Sequence, residues 1–241
     1  MYAHVFSKKL DDRDAWCYNR IMPDYKFTET WFTLDRKESG GAETHHERWT
    51  RLFQHHKETS GAKIQSVLEV GCYEGRASTW ICENLLGSEG GRLDVIDTFG
   101  GSDCEAGMDN AKKLLKENQN HIREAFDHNL SFFPHIDLHI HEGLSQEVLP
   151  QLVHADPLFL YDFIYIDGSH NAGDTFIDAY YANKLLKPEG VLIFDDYLWK
   201  DPARPAPIDS PMAGINFHSL LYSDKYTLLD KGYQLFLIKN K

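Results

Sequence analysis

The sequence predicts an α/β fold: a mostly parallel sheet with helices on both faces, finished by an antiparallel C-terminal hairpin. Three observations carry this. Short apolar runs (IQSVLEV, RLDVID, DFIYID, VLIFD) alternate with helix-length segments between residues 64 and 195, a rhythm that implies βαβ units and a sheet covered on both sides. The first run ends in a glycine-bearing strand-to-helix turn, Gly71 and Gly75. The last stretch, KYTLLDKGYQLFLIKN, reads as two strands about Asp230-Lys231-Gly232, which places antiparallel strands at the end of the sheet.

Residues 1–62 show neither alternation nor heptads but are rich in aromatics, among them Trp16, Tyr18, Tyr25, Phe27, Trp31 and Phe32. They read as an N-terminal extension, either a lid, a dimer arm or a plain packing segment, ahead of a main domain over 63–241. Within it HHERWTRLFQHHKE is helical in pattern. Its histidine pairs are adjacent, and neighbours in sequence do not share a helix face, so a solvated or substrate-facing helix is expected there rather than a metal site.

The elements then follow in order. A strand at 64–70 leads to a helix at 76–87 closed by Gly87, and a strand at 92–97 to a glycine-rich loop at 100–108 and an amphipathic helix near 109–127. A strand at 136–141 precedes HEGLSQEVLPQL, a strand at 162–167 precedes a helix at 172–186, and Lys187-Pro188-Glu189-Gly190 turns into a strand at 191–195. Residues 201–211 hold four of the nine prolines, which excludes helix or central strand and predicts a loop. Together with the N-terminal 60 residues, this loop and its flanks, over 198–217, are expected to shape the substrate side of any ligand site.

The chain of 241 residues carries a net charge of −12, with 37 acidic against 25 basic residues and no basic run. Nucleic acid is therefore excluded as a substrate. No apolar run approaches the roughly 20 residues a membrane helix needs, and the N-terminus lacks the apolar centre of a signal peptide. Cys17, Cys72, Cys82 and Cys104 form no C-x-x-C pair or zinc spacing, as expected of free thiols in a reducing compartment. The expectation is a soluble, cytoplasmic protein, with a homo-oligomer possible and no nucleic-acid or membrane partner.

The glycine turn, LEVGCYEG, bears on the ligand. A dinucleotide site wants G-x-G-x-x-G, the second glycine admitting a pyrophosphate; here Tyr73 occupies that position. The pattern E-x-G-x-x-x-G, followed by Asp97 at the end of the next strand where a carboxylate can hold ribose hydroxyls, is instead that of S-adenosylmethionine (SAM) methyltransferases. A second constellation lies further on. Asp167-Gly168-Ser169-His170 and Asp195-Asp196-Tyr197 both fall at carboxyl ends of parallel strands, the edge at which open α/β sheets bind ligands.

Two bare charges about 4 Å apart repel by about 4 kcal/mol at an effective dielectric of about 20, so the cluster calls for a cation, a shared proton or a larger separation. Magnesium or another hard divalent ion suits oxygen ligands from Asp167, Asp195 and Asp196. His170 is suited to general-base work near neutral pH. The plain structural alternatives are aspartates that cap helices and a histidine that packs.

IQSVLEVGCYEGRAST, VIDTFGG, DFIYIDGSH and LLKPEGVLIFDDY, in this order, resemble the class I SAM-dependent methyltransferases, whose fold is Rossmann-like. More narrowly they resemble the metal-dependent O-methyltransferase branch that includes the macrocin and mycinamicin sugar O-methyltransferases and, more distantly, catechol O-methyltransferase. The resemblance covers about residues 62–240. It implies that Glu69, Gly71 and Gly75 frame the methionine part of SAM with Ser78 near its amino or carboxylate group. It also implies that Asp97 holds the ribose and that Gly143, Leu144 and Ser145 border the adenine. Tyr73, Thr98 and Asp167 complete the cofactor-binding set. It further implies Asp167, Asp195 and Asp196 as metal-binding positions, with Asp167 and His170 in the catalytic role. Some members place an acidic base where this chain has Ser169, so the base follows the subgroup.

The expected activity is metal-dependent methylation of a sugar or glycoside hydroxyl on a small-molecule or glycan acceptor. The alternatives are a catechol or phenol acceptor, a hydroxylase-like protein on the same scaffold, and a SAM-binding protein without turnover.

Overall fold

The computed structural model describes residues 23–28, 43–101, 121–156, 158–200, 206 and 210–241. Seven strands form one sheet in the order β3-β2-β1-β4-β5-β7-β6. They are β1 (Ser66–Val70), β2 (Arg92–Asp97), β3 (Asp137–Glu142), β4 (Tyr161–Ile166), β5 (Leu186–Phe194), β6 (Tyr226–Lys231) and β7 (Leu235–Lys239). The first five are parallel, while β7 runs antiparallel to both β5 and β6. The expected mostly parallel sheet with an antiparallel C-terminal hairpin is the one observed.

Side chains alternate across each buried strand, so one strand feeds two cores. On β4, Phe163 and Tyr165 face the layer formed by α1 (His45–Ser60), α2 (Arg76–Ile81) and the helical segment α3 (121–130). Ile164 and Ile166 face α4 (Ser145–Ala155), α5 (Ala172–Leu185) and α6 (Pro211–Leu221). α1 is set by a capping box between Thr44 and Glu47 and by Gly61, which closes it in the left-handed conformation. It brings the fully buried Trp49 against Trp80, Phe163 and Tyr165 in edge-on contacts of 5.2, 5.6 and 4.8 Å between ring centroids. The second part of the N-terminal 62 residues thus packs directly on the sheet. Lid or dimer-arm roles for 1–22 and 29–42 lie outside the described residues.

Residues 23–28 form a strap across the glycine turn and α3, with a tight turn closed by the Tyr25 amide on the Pro23 carbonyl at 2.9 Å. Asn129, fully buried on α3, accepts from the Lys26 amide at 2.7 Å and donates to the Lys26 carbonyl at 3.0 Å and the Glu74 carbonyl at 2.8 Å. Glu74 accepts from the amide and hydroxyl of Thr28, and Tyr25 donates to Glu83 at 2.7 Å. Asn129→Ala would leave three backbone groups short of a partner, so urea denaturation is expected to show a loss of about 1–3 kcal/mol. Unchanged stability would mean the strap is not held through this residue.

Two boundaries differ from expectation. Helix α6 begins at Pro211, within the expected 198–217 loop, because Ser210 stands at its N-cap and a proline at the first helical position needs no N–H. The last proline of the tract is a helix starter rather than a breaker. Strand β5 already starts at Leu186, and Lys187-Pro188-Glu189-Gly190 is taken up as an irregularity in the β4 pairing, with Glu189 at φ 64°. Most of the proline tract, the 102–108 loop and the helix expected near 109–120 lie outside the described residues. Among the described residues no helix is long and apolar enough to cross a membrane. Cys72 and Cys82 are buried free thiols, and burial pushes both thiols up; Cys17 and Cys104 lie outside the described residues.

Candidate active site

The glycine turn is built on contact as much as on ligand access. Gly71 has φ +83°, and a Cβ there would lie 2.1 Å from the Asp167 carbonyl oxygen and 2.7 Å from the Gly168 Cα. The loops after β1 and β4 therefore touch through their backbones, which brings the turn beside Asp167. Gly75 opens α2 at φ +80°, and its missing side chain admits Phe126 and Leu130 of α3. Tyr73 sits between them in the left-handed region at φ 49°.

The expected cofactor residues gather around this turn. Glu69 is buried and accepts the Ser78 hydroxyl at 2.5 Å; burial pushes its carboxyl up to about 8, the Ser78 hydrogen bond pulling the other way and the Asp97 charge adding to the rise. Ser78 is itself fully buried and points to Glu69. Asp97 accepts the amides of Cys72 at 2.7 Å, Tyr73 at 2.8 Å and Phe99 at 2.7 Å. It thereby pins the glycine turn to the end of β2 and keeps about one of its roughly four acceptor positions for another donor. Thr98 and Leu144 are exposed at this edge, and Gly143 and Ser145 are partly so.

The carboxylate cluster is more elaborate than the sequence suggested. Asp167 follows β4, and Asp195 and Asp196 follow β5. Tyr165 reaches both sides, with its hydroxyl 3.0 Å from Asp167 and in closer contact with Asp195. One hydroxyl carries one proton, so Tyr165 can donate to only one of the two carboxylates at a time. Burial, with the Asp195 and Asp196 charges adding to it, holds the Asp167 carboxyl well above the usual carboxylate range, while His170 and the Tyr165 hydrogen bond act in the opposite direction. Burial and the same carboxylates keep the Tyr165 phenol protonated.

Asp195 also accepts from Gln234 at 3.1 Å and from the Asp196 amide at 2.7 Å. Gln234 in turn accepts the Trp49 indole N–H at 2.8 Å, so α1 supports the cluster from behind. Asp196, at φ 54°, accepts from the Tyr233 hydroxyl and lies 2.6 Å from His170 Nε2. The turn closed by the Trp199 amide on the Asp196 carbonyl lays the Trp199 ring over the imidazole, with centroids 4.5 Å apart and planes 24° apart.

One ligand atom each from Asp167, His170 and Asp196 can lie within 4.8 Å of the others, a grouping that can hold a metal ion. His170 thus stands where Asp195 was expected, and Asp195 is turned to Tyr165 and Gln234. Two carboxylates and an imidazole fit a divalent cation of the first transition row or magnesium.

Tyr165, Tyr233, Gln234 and Trp199 were not anticipated. Tyr165 had a signal: two residues before Asp167 on the same strand, it shares its face. Tyr233 and Gln234 arrive only through the pairing of Leu235 with Phe194, which no local pattern discloses.

A glycine turn between the first strand and its helix, an acidic residue ending the second strand, and polar residues at the ends of the next three define the class I SAM-dependent methyltransferases. A family described as a methyltransferase domain matches residues 68–197, and the chain belongs to it. Solved structures agree on the fold. The O-methyltransferase TomG from Streptomyces achromogenes, solved with SAM, superposes with a TM-score of 0.52 at 19% identity over 81% of each chain. The O-methyltransferase NovP gives 0.57 at 16% identity over 83% of this chain and 82% of its own. MycE, solved with Mg, SAH and mycinamycin VI, gives 0.50 at 15% identity over 83% of this chain and 51% of its own. No curated protein sequence matches the chain.

Proposed function

We propose that the chain transfers the methyl group of SAM to a hydroxyl of a sugar or glycoside, with His170 as the general base. The observation that carries this reading is the His170–Asp196 pair beside Asp167, at the edge the glycine turn shares. An ionised Asp196 accepts the Nε2–H, which sets the tautomer and stabilises the imidazolium formed when the ring takes the acceptor's proton. As that proton leaves, the acceptor oxygen bonds to the methyl carbon and the sulfonium–carbon bond breaks, leaving S-adenosylhomocysteine. Trp199 and Asp196 hold the base in place, and the residues of the turn align oxygen, methyl and sulfur.

With His170 kept as the base, Asp167 and Asp196, with Asp195 behind them, are the residues that would hold a divalent cation. Such an ion would lower the hydroxyl's pKa and balance the charge of the cluster. Support for a glycoside comes from the resemblance of Asp167-Gly168-Ser169-His170 and Asp195-Asp196-Tyr197 to the sugar-modifying branch, and from the fold shared with MycE, solved with Mg, SAH and mycinamycin VI.

The test is methyl transfer from labelled SAM to panels of deoxyhexosides and catechols, each with added magnesium and with excess EDTA. Label in a glycoside, abolished by EDTA, is expected. Label in catechols alone moves the acceptor to phenols, whereas full turnover in EDTA removes the metal. A product heavier by one oxygen points to hydroxylation, and no transfer across either panel points to a binding protein.

A further inference from the structure

Gln234 has no part in the chemistry above, yet it stands behind the acidic cluster with both ends of its amide engaged. It lies immediately ahead of β7 and is fully buried, as is Trp49. The antiparallel pairing of Phe194 with Leu235 sets the next residues on each side, Asp195 and Gln234, opposite one another. Burying an amide costs free energy unless its hydrogen bonds are replaced, and here they are. Oε1 accepts the Trp49 indole N–H at 2.8 Å, while Nε2 donates to Asp195 Oδ2 at 3.1 Å and approaches His45 Nδ1 at 3.4 Å. The two ends of a carboxamide have the same shape, so their partners decide which faces which. An indole N–H can only donate. Trp49 therefore fixes the oxygen toward α1 and turns the NH2 group to Asp195.

We propose that Gln234, its amide oriented by Trp49, is a positioning residue for the cation site: it holds Asp195 behind Asp167 and Asp196 and so sets how tightly the cluster binds a divalent ion. This rests on the reading of the cluster as a cation site. Asp195 is gripped on both oxygens, Oδ2 by Gln234 and Oδ1 by the Asp196 amide at 2.7 Å, and the Tyr165 hydroxyl also contacts Oδ2. The Asp196 amide is part of the same loop and moves with it, so the grip from outside the loop comes from β4 through Tyr165 and from β7 through Gln234. Groups that orient a metal-binding carboxylate carry much of a site's affinity without touching the ion. The consequence reaches α1. Its tryptophan takes part in the site through the glutamine, although the helix contributes no carboxylate to the cluster.

Titration of the full chain with manganese alone, read by the electron paramagnetic resonance of the unbound ion, tests this. Gln234→Leu, folded by circular dichroism, is expected to bind manganese about 10–100-fold more weakly, with SAM affinity by calorimetry unchanged. Trp49→Phe keeps an aromatic ring in the core and removes the donor, and is expected to weaken manganese by a smaller factor. The double variant is expected to bind no more weakly than Gln234→Leu alone, because Trp49 acts through the glutamine. A merely structural part would instead multiply the two losses and lower SAM affinity with them, and either result overturns the proposal. Wild-type manganese affinity in Gln234→Leu also overturns it; should that variant not fold, wild-type affinity in Trp49→Phe does so. A folded wild type that binds SAM but no manganese overturns the cation reading and this proposal with it.

Discussion

Turnover of the His170→Ala variant is expected to fall by about 10²–10⁴, the usual range for loss of a general base, with SAM affinity retained. The argument is geometric. The imidazole is held by the carboxylate of Asp196 at one edge and by Trp199 across one face, which prepares it for proton transfer and adds little to the glycine turn. Alanine would also leave a cavity under Trp199, so loss of activity alone does not separate base from packing. His170→Gln refines the test, because an amide can still bond to Asp196 without accepting the acceptor's proton at neutral pH. Both variants should show that loss in single-turnover assays while binding SAM by calorimetry. Near-normal turnover in the glutamine variant would remove His170 as the base.

Strand positions were legible because a buried parallel strand advertises itself by composition. β2 was expected at 92–97 and is found at Arg92–Asp97. The carboxyl-end clustering of Asp167, His170, Asp195 and Asp196 followed from topology alone, since parallel strands place those ends side by side. What stayed hidden depends on partners far apart in the chain. Whether the acidic cluster needs a cation could not be read from three aspartates, because the groups that share its charge, Tyr165, Tyr233 and Gln234, enter by register.

Trp49 is similar. Its segment looks like an appendage in sequence, yet its indole N–H ends on the glutamine that donates to Asp195. The start of α6 was hidden for a different reason: Pro211 reads as one more breaker until Ser210 is recognised as its N-cap.

Gly71→Ala is expected to cost about 3–5 kcal/mol of stability and to abolish SAM binding in whatever fraction folds. Two effects add. The left-handed backbone at φ +83° strains any residue with a Cβ, a penalty of about 1–2 kcal/mol. The new methyl would also overlap the Asp167 carbonyl, 2.1 Å away, and the neighbouring chain has little freedom to yield. The Asp167 amide bonds to the Val70 carbonyl at 2.7 Å, and the Gly71 amide to the Ile96 carbonyl at 2.8 Å. Relief therefore requires the loops after β1 and β4 to separate, carrying Asp167 away from the glycine turn.

Gly61 supplies the control. It ends α1 at φ +68° with nothing within 4 Å of its missing Cβ, so Gly61→Ala bears the strain without the collision. Its expected cost is about 1–2 kcal/mol, with SAM binding intact. Urea denaturation of the two variants side by side separates the contributions. Equal losses would mean that the contact between the glycine turn and Asp167 is slack, and that the turn was selected for conformation alone.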